Sequence, residues 1–431
     1  MGLTTASLIV IANMVGSGVF GITGDIAKHA PSHFAILLSW LVGGIMALCG
    51  ALVYGELSAS MPRSGGEYNY LSQLYHPALG FVSGFVSLVV GFGAAISLNA
   101  VIFGEYMRAF WPQINSTWVA CLLVILLTLL HAFYLKLGAQ VQNSFTYFKI
   151  ALILIFIIAG FIAVEKSQLQ LLCLTPQPSD WMTLWNKNYA SAVIDVFYAY
   201  LGWNAAAYIA GEIKDPQKNL PRALLIGTLS VMMLYILLNI VFLRTVPLSA
   251  MLGEVKVGDL SARAIFGDQA GKILTAFIGV ALFSSTSSMV MAGPRVTQSM
   301  GEDYTIFRVL AQRKSGGGPI WALFLQMVVA LIIIFSATYY EILGYIGFTL
   351  SIFSALTVAG IFILRIKTRK TGQIVAYRTF GYPITPALYI VLTLWMVVHS
   401  IINRPIIVLF GIATFAIGFL LYYFSKSDSF R

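Results

Sequence analysis

Two short glycine-containing segments could bring free backbone hydrogen-bonding groups into apolar stretches of this sequence. The first is Gly16–Gly18, and the second runs from Tyr200 to Asn204 with Gly202 near its centre. Glycine readily adopts backbone conformations that interrupt a helix. Where lipid surrounds a chain, interrupted backbone is tolerated only if its N–H and C=O groups line a cavity or meet a ligand. Both segments are therefore candidates for a binding site.

Helix ends at these segments would suit a small zwitterion. A half-helix that begins after Gly18 has free N–H groups and a positive dipole end, which favour an anion such as a carboxylate. A half-helix that ends near Leu201 has free carbonyl groups, which accept hydrogen bonds from an ammonium group. The sequence from Leu3 to Gly24 contains no ionisable residue. The backbone itself would therefore have to bind both charges.

The elements that position these segments are predicted to be membrane-spanning helices. The 431 residues are 59% hydrophobic and 10% charged, whereas a soluble domain contains about 25% charged residues. A membrane span needs about 20 apolar residues. Twelve spans are predicted, at 3–29, 34–60, 78–108, 117–135, 141–164, 189–213, 222–246, 270–300, 319–336, 341–364, 384–402 and 405–424.

Basic residues are concentrated in the loops on one side of the predicted spans. The net charge is +10, and this distribution predicts that both termini are cytoplasmic, so it reflects topology rather than nucleic-acid binding. The basic residues on that side are Arg63, Lys136, Lys214, Lys218, Arg308, Arg313, Lys314, Arg365, Lys367, Arg369, Lys370 and Arg378.

Cysteines and histidines form no pattern typical of a metal site or of catalysis. Cys49, Cys121 and Cys173 include no CxxC pair, and the five histidines form no HExxH motif. We therefore predict no disulfide framework, metal, cofactor or catalytic residue.

The two glycine segments lie in the first and sixth spans, five spans apart. Glycine in a membrane helix usually indicates close packing, so one segment alone would be a weak signal. Two segments in corresponding positions indicate a five-plus-five inverted repeat. The predicted repeats are 3–164 and 189–364, with two extra helices at 384–424. Residues 1–424 would form one transmembrane domain, and 425–431 a short cytoplasmic tail.

Several motifs carry a resemblance to a known family. They are Gly16–Phe20, Tyr54–Leu57 with Met61–Tyr70, Tyr198–Asn204, Gly211–Pro216 with Asn219–Ala223, and Met291–Val296. Together they resemble the amino acid–polyamine–organocation (APC) superfamily of transporters, particularly its L-type (LAT) branch and bacterial homologues. The resemblance implies an all-α integral membrane protein with the LeuT-like fold, 12 helices, and discontinuous helices 1 and 6. It also implies alternating access and an amino acid substrate.

The resemblance implies a role for individual residues of both segments. Backbone N–H groups at Ser17 and Gly18, with the Ser17 hydroxyl, resemble the family's carboxylate site. Tyr198 occupies the position of the aromatic residue that covers bound substrate, although ordinary packing is the alternative. The carbonyls expected to bind the amino group belong to Met14, Val15, Tyr198, Ala199 and Leu201. The full predicted substrate site is Met14, Val15, Gly16, Ser17, Gly18, Tyr198, Ala199, Leu201, Gly202 and Asn204.

Lys149 is a cation inside the fifth span, about eight residues or roughly 12 Å from its cytoplasmic end. A lysine at that depth could extend to the headgroups, but a charge inside a membrane is costly and usually functional. The position resembles the lysine of sodium-independent family members, whose ammonium replaces sodium beside the broken first helix. Tyr235 resembles a tyrosine that supports the same region, with ordinary packing as the alternative.

Coupling to an ion stays open between several mechanisms. Ser284–Ser288 in the eighth span could ligate sodium, but with a lysine nearby we expect these hydroxyls to bond their own helix. Transport is therefore predicted to be sodium-independent. A permanently charged Lys149 implies an exchanger or facilitator, whereas a lysine that releases its proton allows proton symport.

The predicted cargo is a small neutral amino acid, such as alanine or serine. Relatives that carry bulky substrates have a small residue where this chain has Leu201. The main rival is a carrier of cationic amino acids or polyamines, which should place an acid in the pocket, and Asp195 is the candidate. The loop Phe110–Thr117 lacks the cysteine that links animal L-type transporters to a single-span glycoprotein. We therefore expect no disulfide-linked heavy chain.

Overall fold

The computed structural model describes residues 1–108, 110–163, 175–184, 187–254, 256–313, 318–336, 338–372 and 375–425. Within these residues, 10 helices are long and apolar enough to cross a membrane. The predicted all-α, multi-pass membrane class is therefore confirmed. Cys173, Lys314 and the predicted tail beyond Ser425 lie outside the described residues.

The α-helices follow one another along the chain. They are α1 (Leu3–Met14), α2 (Ser17–Gly21), α3 (Thr23–His29), α4 (His33–Ser60), α5 (Glu67–Leu74), α6 (Pro77–Val86), α7 (Ala95–Met107), α8 (Ser116–Phe133), α9 (Leu135–Ala163), α10 (Pro178–Leu184), α11 (Lys187–Tyr200), α12 (Ala205–Tyr208), α13 (Pro216–Thr245), α14 (Leu248–Met251), α15 (Val257–Ala292), α16 (Pro294–Asp303), α17 (Ile320–Ser336), α18 (Tyr339–Thr371), α19 (Ile384–Asn403) and α20 (Pro405–Ser425). A π-helical stretch, Ser87–Ala94, joins α6 to α7.

The predicted eighth span, 270–300, lies close to the apolar span Thr275–Asp303 of the structure, which is made of two helices. Helix α15 begins at Val257 and contains Gly267 in a non-helical conformation, with φ 78° and ψ 171°. Glycine tolerates this positive φ because it has no Cβ, so the chain turns there before the apolar segment begins. Helix α15 ends at Ala292, and Pro294 opens α16, which continues the span to Asp303. Proline is favoured at a first helical turn, where its missing N–H costs nothing.

The helices differ in how far the protein encloses them. The apolar part of the first span is 82% buried, whereas that of α20 is 22% buried. Helix α20 exposes large apolar side chains, including Ile406, Leu409 and Phe410, as a lipid-facing helix should. Helix α1 instead contacts α13, α15, α9 and α12. The first glycine segment therefore lies in the middle of the bundle.

An ion pair holds one end of α4. Glu56 is buried, and its carboxylate accepts hydrogen bonds from Arg365 Nε at 3.0 Å and Nη2 at 2.8 Å. The backbone N–H of Thr379 donates to the same carboxylate at 2.6 Å. A buried carboxylate needs such partners to offset its desolvation. Glu56 therefore joins α4 to α18 and to the segment before α19.

Candidate substrate site

The first glycine segment separates two helices. Helix α1 ends at Met14 and α2 begins at Ser17, with Gly16 at φ −126° and ψ −145° between them. The Gly16 N–H donates to the Met14 carbonyl at 2.9 Å, not to the Ala12 carbonyl that a continuous helix would use. The Ala12 carbonyl is thereby released from the helical ladder.

The second glycine segment also separates two helices. Helix α11 ends at Tyr200 and α12 begins at Ala205. Gly202 between them has φ +100°, a conformation that L-residues with a side chain rarely adopt. The Leu201 N–H donates to the Tyr198 carbonyl at 2.9 Å, which closes a tight turn at the end of α11.

The two segments contact each other directly. A Cβ added to Gly18 would lie 2.6 Å from Ala199 Cα, and one added to Gly202 would lie 2.8 Å from the carbonyl carbon of Asn13. Both distances are shorter than a van der Waals contact between carbon atoms. The chain can therefore cross itself here only with glycine at both positions.

A cavity lies at this crossing. Its free volume is ≈ 60 Å³, more than the about 10–15 Å³ that a single water molecule needs. The predicted site residues that line it are Met14, Gly16, Gly18, Tyr198, Ala199, Leu201, Gly202 and Asn204. Further lining comes from Asn13, Glu67, Gly91, Phe92, Ala95, Asn99, Trp203, Ala205, Tyr208, Met289, Ile346, Leu350 and Ser354. Val15 is not among the lining residues, and the Ser17 side chain lies outside what the structure describes.

Tyr235 connects the carbonyls of the two segments. Its hydroxyl lies 2.6 Å from the Met14 carbonyl oxygen and 3.2 Å from that of Ala199. The side chain is 1% exposed and packs edge-on against Trp40. Tyr235 therefore holds the end of α1 beside the end of α11.

Lys149 is directed at the first segment from α9. The side chain is 1% exposed, and its ammonium donates to the carbonyls of Val15 at 2.6 Å and Ala12 at 3.3 Å. The Ser285 hydroxyl donates to the same Ala12 carbonyl at 3.2 Å. The ammonium therefore lies inside the bundle and does not extend to the headgroups.

The hydroxyls of the eighth span divide between two kinds of partner. Thr286 donates to the Leu282 carbonyl of its own helix at 2.8 Å. The expectation that all of them bond their own helix was wrong for Ser285, which donates to the Ala12 carbonyl, while Ser288 accepts a hydrogen bond from Asn13 Nδ2. The Ser285 contact follows from the interruption of α1, because carbonyls that lose their N–H partner within the helix need new hydrogen-bond donors.

The acid nearest the substrate cavity is Glu67, not Asp195. Glu67 lines the cavity and is 3% exposed, and its Oε1 accepts from the Tyr54 hydroxyl at 2.6 Å and from Asn204 Nδ2 at 3.2 Å. Asp195 does not line the cavity. The prediction that Asp195 was the candidate acid was therefore wrong.

Asp195 belongs to a separate charged cluster. One ligand atom each from Asp25, His29 and Asp195 lies within 4.8 Å of the others. Arg404 Nη2 lies 3.9 Å from Asp195, and Lys28 Nζ lies 3.0 Å from Asp25. Two cations thus balance the two carboxylates, and they would oppose the binding of a metal ion.

The turn before α5 explains how Glu67 reaches the cavity. Gly65 has φ +116° and Gly66 has φ +55°, and the Gly65 N–H donates to the Tyr208 carbonyl at 3.1 Å. A Cβ at Gly66 would lie 2.6 Å from the Tyr208 ring. The paired glycines were the available sequence signal, because they let the loop press against α12 and direct the next side chain inward.

An all-helical membrane protein whose helix ends meet around a cavity has the architecture of a transporter. Residues 1–425 match the family model described as Amino acid permease, and the chain belongs to this family. The predicted APC membership is thereby confirmed, as is the prediction that the chain is not an enzyme. Membership also makes it an amino acid transporter.

Curated relatives match along nearly the whole chain. The chain is 29% identical to the serine/threonine exchanger SteT of Bacillus subtilis, over 90% of the chain and 88% of that protein. It is 25% identical to the large neutral amino acids transporter small subunit 2 of Homo sapiens, over 98% of the chain and 79% of that protein. It is 26% identical to the b(0,+)-type amino acid transporter 1 of Homo sapiens, over 98% and 87%.

Proposed function

We propose that this protein is a sodium-independent exchanger of small neutral L-amino acids in the cytoplasmic membrane. The observation that carries the proposal is the contact between the Lys149 ammonium and the Val15 carbonyl, at 2.6 Å. The Lys149 ammonium beside the first glycine segment supplies a fixed positive charge. A sodium-coupled carrier would instead obtain this charge from a sodium ion bound from solution. The similarity to a serine/threonine exchanger is consistent with this cargo and mode.

The backbone groups of the two segments are proposed to bind the zwitterion. The N–H groups at the start of α2, around Ser17 and Gly18, would take the carboxylate. Carbonyls at the ends of α1 and α11 would take the ammonium, and each carbonyl oxygen can accept two hydrogen bonds. The Val15 carbonyl already accepts a hydrogen bond from the Lys149 ammonium. The ammonium group of the substrate would therefore rely more on the carbonyls of Ala199 and Leu201.

The proposed function includes a number of spans, an arrangement of repeats and a position for the termini. Twelve spans would include the short apolar helix Ile320–Ser336 and the pair α11 and α12, arranged as repeats at 3–164 and 189–364 with 384–424 added. Both termini would be cytoplasmic. Rocking of one helix set against the other around the crossing would alternate access. The chain would act without a disulfide-linked heavy chain, since Phe110–Thr117 has no cysteine.

Glu67 favours a second candidate, a carrier of cationic amino acids. Among the described residues that line the cavity, it is the only one with an ionisable acidic side chain. A buried carboxylate attracts a cationic substrate, but Tyr54 and Asn204 already bond to it. Proton symport, with Lys149 releasing its proton, stays the other alternative.

Liposomes that contain the purified protein test these possibilities together. We expect labelled serine and alanine to enter liposomes preloaded with unlabelled serine several times faster than empty ones. Rates should be equal in sodium and potassium salts and insensitive to an imposed pH gradient. Uptake that requires sodium, or that is driven by a pH gradient into empty liposomes, would contradict exchange. Faster uptake of lysine than of serine would favour the second candidate.

Replacing Leu201 with glycine should broaden the substrate range. Leu201 lines the cavity, and room for each additional methylene changes discrimination between substrates about 10- to 200-fold. We expect leucine and methionine uptake relative to alanine to rise by at least about tenfold. Competition assays with unlabelled amino acids measure this ratio. An unchanged ratio in a variant that still exchanges alanine would show that Leu201 does not limit the pocket.

A further inference from the structure

The Asn204 side chain has a fixed orientation at the edge of the cavity. Its Nδ2 donates to Glu67 Oε1 at 3.2 Å and to the Tyr208 hydroxyl oxygen at 3.1 Å. A primary amide has two N–H donors and one carbonyl oxygen. Both donors are thus used on the side of α5 and α12. The atom that Asn204 can offer to the cavity is its Oδ1, a hydrogen-bond acceptor.

Glu67 determines which way the amide faces. An ionised carboxylate has acceptors only, so the amide nitrogen and not its oxygen must face Glu67. Tyr208 cannot make this choice, because a hydroxyl can either donate or accept. Tyr54 fixes the carboxylate in turn, with its hydroxyl at 2.6 Å. The orientation of Asn204 therefore depends on one ionised side chain outside the spans.

We propose that Glu67 is a positioning residue that turns Asn204 Oδ1 toward the substrate, so that the site selects amino acids with a hydrogen-bond donor on a short side chain. Serine and threonine have such a donor in their hydroxyl, and alanine lacks it. This inference rests on the proposed amino acid cargo and narrows it. Leu201 limits the length of the substrate side chain, and Asn204 selects for a hydrogen-bond donor on it.

The protonation state of Glu67 gives the proposal a distinctive signature. Burial raises the pKa of Glu67 to about 7. A protonated carboxyl can donate to the amide oxygen, so it no longer enforces the orientation. The other titratable groups that face Glu67 are the phenols of Tyr54, Tyr70, Tyr208 and Tyr389, which stay neutral from about pH 6 to about pH 8.

The test compares KM for serine and alanine in liposomes at about pH 6 and about pH 8, equal on both sides. A net hydrogen bond corresponds to a preference of about three- to tenfold. We expect wild-type protein to prefer serine by this factor at the higher pH and to lose most of the preference at the lower pH. Glu67→Gln should have little preference and no pH dependence, because glutamine offers a donor as well as an acceptor.

Glu105→Gln is the matched control, since Glu105 is exposed and pairs with Arg108 at the surface; it should keep the wild-type profile. A serine preference unchanged in Glu67→Gln, or KM values that rise equally for both substrates, would overturn the proposal. If that variant does not fold, the wild-type profile decides alone, and a pH-independent preference overturns it. Absence of both serine and alanine transport in wild-type protein would instead contradict the proposed function.

Discussion

Replacing Lys149 with alanine is expected to lower amino acid exchange by about tenfold to a hundredfold, because hydrogen bonds to charged groups contribute about 1.5–3 kcal/mol. The ammonium holds the carbonyls of Val15 and Ala12 at the end of α1. Without the ammonium, these buried carbonyls lose a hydrogen-bond donor, and the first glycine segment loses the positive charge beside it. Exchange of labelled serine in liposomes measures the effect.

Two further variants separate charge from folding in this experiment. Lys149→Gln keeps donors and most of the volume but removes the charge, so it should fold like the wild type and still lose most exchange. Lys370→Ala removes an exposed lysine near the end of α18 and should leave exchange unchanged. Wild-type exchange by Lys149→Ala, with unaltered salt and pH dependence, would show that the ammonium does not support the site.

Replacing Gly202 with alanine should abolish transport and strongly destabilise the protein. A side chain at φ +100° costs about 1–3 kcal/mol. Its Cβ would also lie 2.8 Å from the carbonyl carbon of Asn13, and overpacking of this kind costs about 1–3 kcal/mol more. Since natural proteins are stable by only about 5–15 kcal/mol, thermal unfolding in detergent should occur at a clearly lower temperature.

Gly372 provides a control for the backbone part of this effect. It also has positive φ, +67°, but a Cβ there would meet nothing within 4 Å. Gly372→Ala should therefore have the backbone strain of a positive φ but no steric overlap of its Cβ with other atoms. It should retain exchange. Equal stability of the two variants, together with normal exchange by Gly202→Ala, would mean that the crossing tolerates a side chain.

The sequence predicted the parts of the site that depend on backbone chemistry. The positions of Gly18 and Gly202 within apolar stretches identified them as site residues. A membrane helix can be interrupted only where its free backbone groups line a cavity or find other partners. Eight of the predicted residues line one cavity. The bounds of α4 and α20 were also predictable, because apolar stretches have to match the thickness of lipid.

The sequence did not predict contacts that depend on how distant segments dock. Glu67 was assigned only to a loop motif, since its approach to Asn204 requires Gly65 to bond to Tyr208 across the bundle. Ser285 was assigned to its own helix for the same reason. Gly267 was missed because a lone glycine does not reveal the sign of its φ.

The crossing of the two glycine segments also limits how this sequence can change. A Cβ at Gly18 would meet Ala199 Cα, and one at Gly202 would meet the carbonyl carbon of Asn13. Every amino acid has these atoms, so no smaller partner could act as a local suppressor of either substitution. Compensating mutations would have to shift whole helices. Transporters descended from this one can therefore diversify at Leu201 while both glycines stay invariant.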